Sequence, residues 1–269
     1  MLSPRETRRE HQLPIPDTAA GFILPPVLFI IPLFDCGVSQ FLLYRRSQII
    51  ASTRDAVART CRAYHSHLET FLQAWARRPY RWPPLLIEVL RQVPKKALLL
   101  DLGCGAGQDT RALRRAGFRV VGVDVSHPLL DYARRRSPRL SLVQADIRHL
   151  PYVPGVFDGI WAAASLIHLP KSSVQASLRC LAHLTTPRGI LAATFIHGRR
   201  SGPLQSGWIP DRFISRWHKQ ELVLALRRAG WRIVELKTVS GHERKGRWLN
   251  LIARRSHDSQ HRVVARSRP

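Results

Sequence analysis

The stretch LLLDLGCGAGQDT, residues 98–110, decides the fold class of this chain of 269 residues. Its leucines and aspartate predict a buried strand, and its three glycines predict a tight turn that leads into a helix. A strand, a glycine turn and a helix N-terminus form a common ligand-binding device, because the turn lets a ligand approach the backbone and the helix end offers free N–H groups. The turn alone leaves the ligand open.

The spacing of these glycines argues against two common nucleotide-binding loops. Counted from Gly103, the dinucleotide pattern G-x-G-x-x-G meets Gln108 where its third glycine belongs. Counted from Gly105, the pattern meets Thr110 at that place. The Gly-Lys-Ser/Thr of a phosphate loop is also missing from this stretch. The pattern present is D-x-G-x-G-x-G, with Asp101 at the predicted strand end.

The remainder of the chain after residue 95 alternates short apolar runs with amphipathic helices, which predicts an α/β fold with a doubly wound, mostly parallel sheet. The last two apolar runs are separated only by the turn-rich sequence GHERKGR, and so short a connection joins antiparallel strands. We therefore predict a mostly parallel seven-stranded sheet with an antiparallel C-terminal hairpin. The predicted strands are Ala97–Asp101, Arg119–Asp124, Ser141–Asp146, Asp158–Ala163, Ile190–Ile196, Trp231–Val239 and Trp248–Ala253.

Four segments are predicted along the chain. Residues 1–48 are an N-terminal extension that is apolar over 19–44, and the sequence leaves open a membrane anchor, a packed appendage and a non-native start. Its uncharged part, 19–34, is shorter than the roughly 20 residues of a membrane-spanning helix. Residues 49–96 are an N-terminal helical cap, 97–256 the α/β domain and 257–269 a basic disordered tail. The cap is predicted from apolar residues at three- and four-residue spacing, namely Val57, Cys61, Tyr64, Leu68, Phe71 and Trp75.

The charge and the cysteines bound the class of protein further. The chain has 43 basic and 18 acidic residues, a net charge of +25, which suggests a polyanionic partner or, equally, a compositional bias of the genome toward arginine. The 4 cysteines are scattered without a CxxC pair, so neither a zinc site nor a disulfide framework is indicated, and no metal is predicted. A reducing, cytoplasmic location fits best, with membrane association left open through residues 19–44.

Five stretches in order resemble the class I S-adenosylmethionine-dependent methyltransferases, in particular their broad group of type-11-like, small-molecule enzymes. The resemblance runs from about Ser52 to Arg255. It implies the Rossmann-like fold of that family and S-adenosyl-L-methionine as the cofactor. The five stretches are LLLDLGCGAG, VVGVDVS, LVQADIRHLPY, FDGIWAAASLIHLP and GWRIVELKTVS.

The resemblance also implies which residues meet the cofactor. Asp124 stands where the family binds both ribose hydroxyls, and Asp146 and Ile147 stand where it meets the adenine. Asp101 is implied to orient the turn and the methionine amino group, although it could instead cap the following helix. Asp109 suits a helix start on electrostatic grounds alone. The implied cofactor-binding residues are Asp101, Gly103, Gly105, Gly107, Asp124, Val125, Asp146, Ile147, Trp161 and Ala162.

The catalytic residues are predicted less sharply, because the family shares no single catalytic residue. Alcohol and phenol acceptors need a base of tuned pKa, whereas thiols and carboxylates need little help. His168 and His197 follow the fourth and fifth predicted strands, at the edge where open α/β sheets bind ligands, and are the candidates for a base or an acceptor contact. Packing at a helix start is the alternative for His168. Asp158, at a strand start, is predicted to be structural.

The placement of the arginines favours an anionic acceptor. Many close predicted helices, such as Arg114, Arg115, Arg227 and Arg228, and are expected at the sheet edge opposite to the ligand. The predicted loops of the ligand edge, 198–217 and 241–247, carry a second basic set. These residues are Arg199, Arg200, Arg212, Arg244, Lys245 and Arg247.

Together these features predict S-adenosylmethionine-dependent methyl transfer to a small, anionic acceptor by in-line displacement. Two alternatives remain at this stage: an RNA (tRNA) methyltransferase, favoured by the basic charge, and a non-catalytic cofactor-binding scaffold. The aromatic interleaving of a base-stacking RNA platform is sparse. The sequence names neither the acceptor nor the oligomeric state.

Overall fold

A computed structural model of the chain describes residues 56–240 and 246–256. The predicted extension 1–48 with its apolar part 19–44, the hairpin tip 241–245 and the predicted tail 257–269 lie outside these ranges. Within the described ranges, no helix is long and apolar enough to cross a membrane.

A central sheet organises the described part of the chain. Its main path runs in the order β3-β2-β1-β4-β5-β10-β9, and β8 pairs beside β5. The strand bounds are β1 Leu98–Leu102, β2 Arg119–Asp124, β3 Ser141–Gln144, β4 Phe157–Ala162, β5 Thr185–His197, β6 Gly202–Pro203, β7 Phe213–Ile214, β8 Arg216–Trp217, β9 Trp231–Ser240 and β10 Arg247–Arg255.

The strand directions match the sequence pattern. β1 is parallel to β2 and β4, β2 is parallel to β3, and β4 is parallel to β5. β10 is antiparallel to both β5 and β9. The predicted doubly wound, mostly parallel sheet with an antiparallel C-terminal hairpin is confirmed, and the seven predicted strands correspond to the seven on the main path.

Two details of the strands differ from the prediction. The sheet gains β8, which pairs with the end of β5, while β6 and β7 form a small second sheet. These strands have two residues each, too few to show an alternating pattern. β3 ends at Gln144 rather than Asp146. The Asp146 carboxylate accepts the N–H of Arg148, a local turn that competes with the ladder.

Helices cover both faces of the sheet. Leu100 and Leu102 of β1 face a core shared with α6 and α7, whereas Leu99 faces a core shared with α3 and α4, since successive strand residues point to opposite faces. The helices are α1, residues 56–66; α2 Leu68–Phe71 with a π-helical turn Leu72–Ala76; α3 Pro84–Leu90; α4 Gln108–Arg115; α5 His127–Arg136; α6 Lys171–Leu184; and α7 Lys219–Arg228.

The predicted helical cap is interrupted after the π-helical turn. Pro84 occupies the first turn of α3, where a missing N–H costs nothing, so the prolines separate α3 from α2. The face of the cap also differs from the predicted one. Beyond Phe71 the buried residues are Leu72 and Ala76, while Trp75 is 43% exposed, because the π-helical turn shifts the helical register.

The cap packs on the glycine turn. A hydrophobic cluster joins Phe71, Leu72 and Ala76 of the cap to Ala106 of the turn and Leu129 of α5. The cap therefore lies over the carboxyl edge of β1 and β2, where parallel sheets of this type bind ligands.

Candidate functional site

The glycine turn, residues 103–107, connects β1 to α4 and wraps around the end of β2. The N–H groups of Gly103 and Cys104 both donate to the carbonyl oxygen of Val123, at 2.7 and 2.9 Å. Gly103 and Gly105 have φ of 75° and 52°, the left-handed region that favours glycine. A Cβ on Gly103 would lie 2.4 Å from the Cβ of Ser165, so this glycine is also required for close packing.

Asp124 ends β2 and is directed into this turn. Its Oδ2 accepts the N–H of Gly105 at 2.8 Å, and its Oδ1 accepts the N–H of Ser126 at 2.8 Å. Burial raises the pKa of this carboxyl against the lowering effect of those N–H donors. Each carboxylate oxygen has two lone pairs, so both can accept a further donor such as a ribose hydroxyl.

Asp146 lies in the loop after β3, one residue before Ile147. Its carboxylate forms a fork with the guanidinium of Arg148, with Nε at 3.0 Å and Nη2 at 2.5 Å. Burial raises the pKa of Asp146, but the hydrogen bonds and the charge of Arg148 outweigh that effect and lower it. The residue thus stays ionised and can accept the amino group of an adenine as a further donor.

Two carboxylates stand behind the turn, Asp101 buried and Asp109 partly buried. Asp101 accepts the hydroxyl of Thr110 at 2.5 Å, and Asp109 accepts Tyr80 OH at 2.8 Å and the indole N–H of Trp161 at 2.7 Å. Burial, followed by the negative charge of Asp109, raises the pKa of Asp101 to about 8. Burial also raises the pKa of Asp109, against its two donors.

The other predicted cofactor residues lie around this centre. Val125, after β2, is 39% exposed and available to a ligand. Trp161 is buried in the core beneath α3 and α4, where its indole fixes Asp109. Ala162 is fully buried in the opposite core. Trp161 and Ala162 therefore support the site from below, and direct cofactor contact by either remains a prediction.

His168 lies in a short 3-10 turn, Leu166–His168, just after β4. Its Nδ1 is 2.9 Å from the carbonyl oxygen of Phe213, and its Nε2 is 3.1 Å from the hydroxyl of Tyr64. A carbonyl oxygen only accepts, so Nδ1 carries the proton and donates. Nε2 is then the acceptor nitrogen and faces the cap.

His197 is placed differently from His168. It ends β5, and its ring lies 5.5 Å from that of His218. Partial burial and the charges of Arg247 and His218 lower the pKa of His197. His197 interacts with His218 and Arg247, on the C-terminal side of the sheet. His168 instead contacts Tyr64 of the cap.

Four residues meet above the turn, and we call them the lid cluster: Tyr64, Phe71, Trp208 and Arg212. Of these, the sequence analysis singled out only Arg212 for the site. Phe71 and Trp208 stack with ring centroids 5.9 Å apart, and Tyr64 meets Phe71 edge to face at 5.4 Å. The Phe71 ring comes within 3.7 Å of the position of a Cβ on Gly105. The sequence signal for Tyr64 and Phe71 was helical periodicity alone, which does not distinguish a core from a lid.

Ser165 and Ala164 were also missed by sequence reasoning. Ser165 lies against Gly103, and its hydroxyl is buried without a hydrogen-bond partner in the described ranges. Ala164 has a left-handed φ of 52° and donates its N–H to the hydroxyl of Thr194 at 2.8 Å. Backbone strain of this kind is typical of ligand sites, but no sequence motif announces it.

The remaining predicted basic rim is divided. Arg212 is buried in the lid cluster, whereas Arg199, Arg200 and Arg247 are exposed. Arg244 and Lys245 lie outside the described residues. Asp158 holds the starts of strands, as predicted, since its carboxylate accepts the N–H of Leu98 at 2.9 Å.

The chemistry of these groups fits a cationic ligand with hydroxyl groups. In the described ranges, the ion pairs include none of Asp101, Asp109 and Asp124. A buried carboxylate without a cation is costly, so an ammonium group would be stabilised at Asp101. The unpartnered hydroxyl of Ser165 offers a further polar contact beside the turn.

Comparison with known proteins agrees with this geometry. Residues 99–189 match a family described as "Methyltransferase domain". The methyltransferase GfsG of Streptomyces halstedii is 40% identical over 101 residues, covering 35% of this chain and 36% of that protein. The trans-aconitate 2-methyltransferase of Paracidovorax citrulli is 44% identical over 84 residues, covering 29% of this chain and 32% of that protein.

A solved structure supports the same fold over a longer stretch. The 1,6-didemethyltoxoflavin-N1-methyltransferase of Burkholderia thailandensis, solved with 1,6-didemethyltoxoflavin and S-adenosylhomocysteine, superposes with a TM-score of 0.57 at 20% identity. The match covers 83% of this chain and 93% of that chain.

The fold is that of solved S-adenosylmethionine-dependent methyltransferases, and residues 99–189 match the methyltransferase domain. The chain is thus similar to the class I S-adenosylmethionine-dependent methyltransferases, in sequence over residues 99–189 and in fold. It spans about a third of the length of the two curated relatives above.

Proposed function

We propose that the chain transfers the methyl group of S-adenosylmethionine to a small, anionic acceptor by in-line displacement. One observation carries this proposal. The strand ends of the parallel sheet bring Asp101, Asp124 and the loop of Asp146 to one edge, around a turn whose glycines leave room for a ligand.

Each of these residues has a distinct task in holding the cofactor. Asp124 accepts ribose hydroxyls with the lone pairs that Gly105 and Ser126 leave available. Asp146 accepts the adenine amino group, and Ile147 lies against the ring. Asp101 pairs with the methionine ammonium. When bound, the cofactor supplies a methyl group attached to a positively charged sulfonium sulfur. Transfer of that methyl group leaves a neutral thioether.

The protein contributes to the transfer mainly by orientation. Displacement at a methyl group needs the nucleophile in line and close, so the rigid strand ends and the lid cluster supply most of the advantage. His168 is proposed to accept the proton of an acceptor that must lose one. Its Nδ1 donates to a fixed carbonyl oxygen, which leaves the lone pair of Nε2 directed at the cap.

The anionic nature of the acceptor has two supports. The segment 198–217, which contributes Trp208 and Arg212 to the lid cluster, also carries Arg199 and Arg200. In addition, one relative is named for trans-aconitate, an organic acid.

Calorimetry with S-adenosylhomocysteine tests the cofactor site. Asp124→Asn should weaken binding by about tenfold or more, because ribose hydroxyls lose a charged acceptor worth about 1.5–3 kcal/mol. Asp131→Asn is the matched control, since that carboxylate is engaged by His127 and Arg134 on α5. Unchanged affinity in Asp124→Asn would contradict the proposed ribose contact.

Radiolabel transfer tests the acceptor class. The full chain is incubated with methyl-labelled S-adenosylmethionine and a cell extract, with and without ribonuclease, and the products are separated by size and charge. We expect a small, acidic, ribonuclease-resistant labelled product. Label in RNA would support the alternative of an RNA methyltransferase, and cofactor binding with no labelled product would support the scaffold.

A further inference from the structure

The lid cluster contains a buried positive charge. Arg212 is only 6% exposed, and its guanidinium lies 5.2 Å from the ring centroid of Trp208 and 5.5 Å from that of Tyr64. Its Nε donates to the carbonyl oxygen of Ile209 at 2.9 Å, and its Nη1 donates to the hydroxyl of Tyr64 at 3.2 Å. Both acceptors are neutral.

This charge has no carboxylate partner in the described ranges. The adjacent acid, Asp211, is 71% exposed at its side chain and pairs with Arg59 instead. A guanidinium has five N–H donors, and two are used by Ile209 and Tyr64. The group therefore keeps donor capacity, while burial without a counter-ion is costly.

The position of Arg212 connects it to the methyl-transfer edge. Tyr64, which accepts its Nη1, is also 3.1 Å from Nε2 of His168 and packs on Phe71 above Gly105. The cap and the segment before α7 thus place one cation in the lid cluster, whose Phe71 ring lies over Gly105. Packing of Arg212 between two rings also restricts its side chain, so less entropy is lost when it binds a ligand.

We propose that Arg212 is the acceptor-binding residue, and that it takes a carboxylate of the acceptor. This inference rests on the proposed function and assigns the acceptor to the carboxylic acids. The planar fork of a guanidinium matches a carboxylate. A single buried positive charge balances one negative charge, so a singly charged carboxylate is favoured over a doubly charged phosphate. The rings of Tyr64 and Trp208 favour an apolar or unsaturated body next to that carboxylate.

Three small probes of one shape test the assignment: benzoate, benzamide and phenyl phosphate. Their binding to the full chain saturated with S-adenosylhomocysteine is followed by ligand-observed NMR titration. The wild-type chain should prefer benzoate to both other probes. Arg212→Gln should weaken the binding of benzoate by about tenfold or more and leave the affinity for benzamide unchanged. Arg216→Gln is the matched control, because the Arg216 guanidinium donates to the carbonyl oxygen of Arg200.

Several outcomes would overturn the assignment. Equal affinity of the wild-type chain for benzoate and benzamide would by itself overturn the assignment. Equal benzoate affinity in wild type and Arg212→Gln, or phenyl phosphate bound more tightly than benzoate, would do so as well. Should Arg212→Gln fail to fold, Arg212→Met fills the space between the rings without a polar group and is read by the same criteria.

The inference and the proposed function can fail separately. If the wild-type chain does not bind S-adenosylhomocysteine, the proposed function fails and the assignment of Arg212 falls with it. If S-adenosylhomocysteine binds normally to wild type and to Arg212→Gln while benzoate shows no preference, only the assignment of Arg212 is wrong.

Discussion

At the scale of single residues, the site is dominated by carboxylates, of which Asp101 is buried and its neighbour Asp109 is partly buried. Burial raises the cost of ionising both Asp101 and Asp109, and the negative charge of Asp109 adds to that cost at Asp101. When both carboxyl groups are ionised, the pair destabilises the folded protein. A cationic ligand would remove part of that cost, so the strain in the free site becomes selectivity for positive charge.

Asp101 should make stability depend on pH. Its pKa of about 8 lies above the usual 3.8, so the folded state retains a proton that the unfolded state has lost between these values. Stability therefore falls as the pH rises through this window and levels off above the folded pKa. In Asp101→Asn this contribution is removed.

Thermal unfolding tests this dependence. We expect the melting temperature of Asp101→Asn, relative to wild type, to be higher at about pH 9 than at about pH 5. Asp131→Asn provides a control on α5. Parallel pH profiles for wild type and Asp101→Asn would show that the carboxyl of Asp101 is ionised in the folded state at neutral pH.

Gly103 should be sensitive to size as well as to backbone conformation. Gly103→Ala combines a φ of 75° with a Cβ at 2.4 Å from that of Ser165, whereas Gly155→Ala has a φ of 64° and open space around the Cβ. Both substitutions carry the cost of a positive φ at alanine. The difference between their losses in free energy of unfolding therefore measures the clash with Ser165.

Urea unfolding of the two glycine variants measures that difference. Gly103→Ala should lose more free energy of unfolding than Gly155→Ala by about 1–3 kcal/mol, the usual cost of overpacking. Equal losses would mean that the loop of Ser165 moves away freely.

At the scale of elements, the cap is connected to the start of α4 by a few specific contacts. Tyr80 donates to Asp109 at the start of α4, and Gln108 donates to the carbonyl oxygen of Trp75. The π-helical turn Leu72–Ala76, which contains Trp75, sets which cap residues face the glycine turn. A π-helical turn inside a helix is often found at functional sites, and here it directs Phe71, Leu72 and Ala76 inward.

Phe71→Ala should loosen the cap without unfolding the sheet. The ring is buried between Tyr64 and Trp208, and its removal should cost about 3–5 kcal/mol locally. Amide exchange should become faster in residues 56–76, while β1 and β4 keep their protection. Trp82→Ala is the control, because Trp82 is 36% exposed and its ring contact is with Tyr80. Equal exchange in both variants would contradict the lid role of Phe71.

At the scale of the whole molecule, the positive charge is distributed over different surfaces. Arg114 and Arg115 close α4, as predicted for residues away from the ligand edge. With Arg111 and Arg139 they line a cavity of about 520 Å³ between α4 and the loop after α5. Burial and the like charges of Arg115 and Arg136 lower the pKa of Arg111. Like charges gathered in this way attract polyanions.

Heparin chromatography tests this surface. Arg114→Glu/Arg115→Glu should elute at lower salt than Arg227→Glu/Arg228→Glu, which makes the same charge change at the end of α7. Both double variants should bind S-adenosylhomocysteine as wild type does. Equal elution would mean that retention follows net charge rather than this cavity.

The order and direction of the main strands could be predicted from sequence patterns, as could the strand ends where the proposed cofactor residues lie. The strand ends of β1 and β2, with Asp101 and Asp124, follow from local patterns, because the carboxyl ends of parallel strands meet at one edge of a sheet. The glycine spacing excluded a dinucleotide loop for the same local reason. These features depend on neighbouring residues and on one general rule of topology.

The lid cluster could not be predicted from the sequence, because it forms only when distant segments pack together. Tyr64 and Arg212 are 148 positions apart in sequence, and Trp161 reaches Asp109 across 52 positions. The π-helical turn changed the inward face from the predicted one, and β6, β7 and β8 were too short to be predicted. Such contacts arise where distant segments pack together, and a side chain's burial and unpaired charge are set by that packing, which no local pattern encodes.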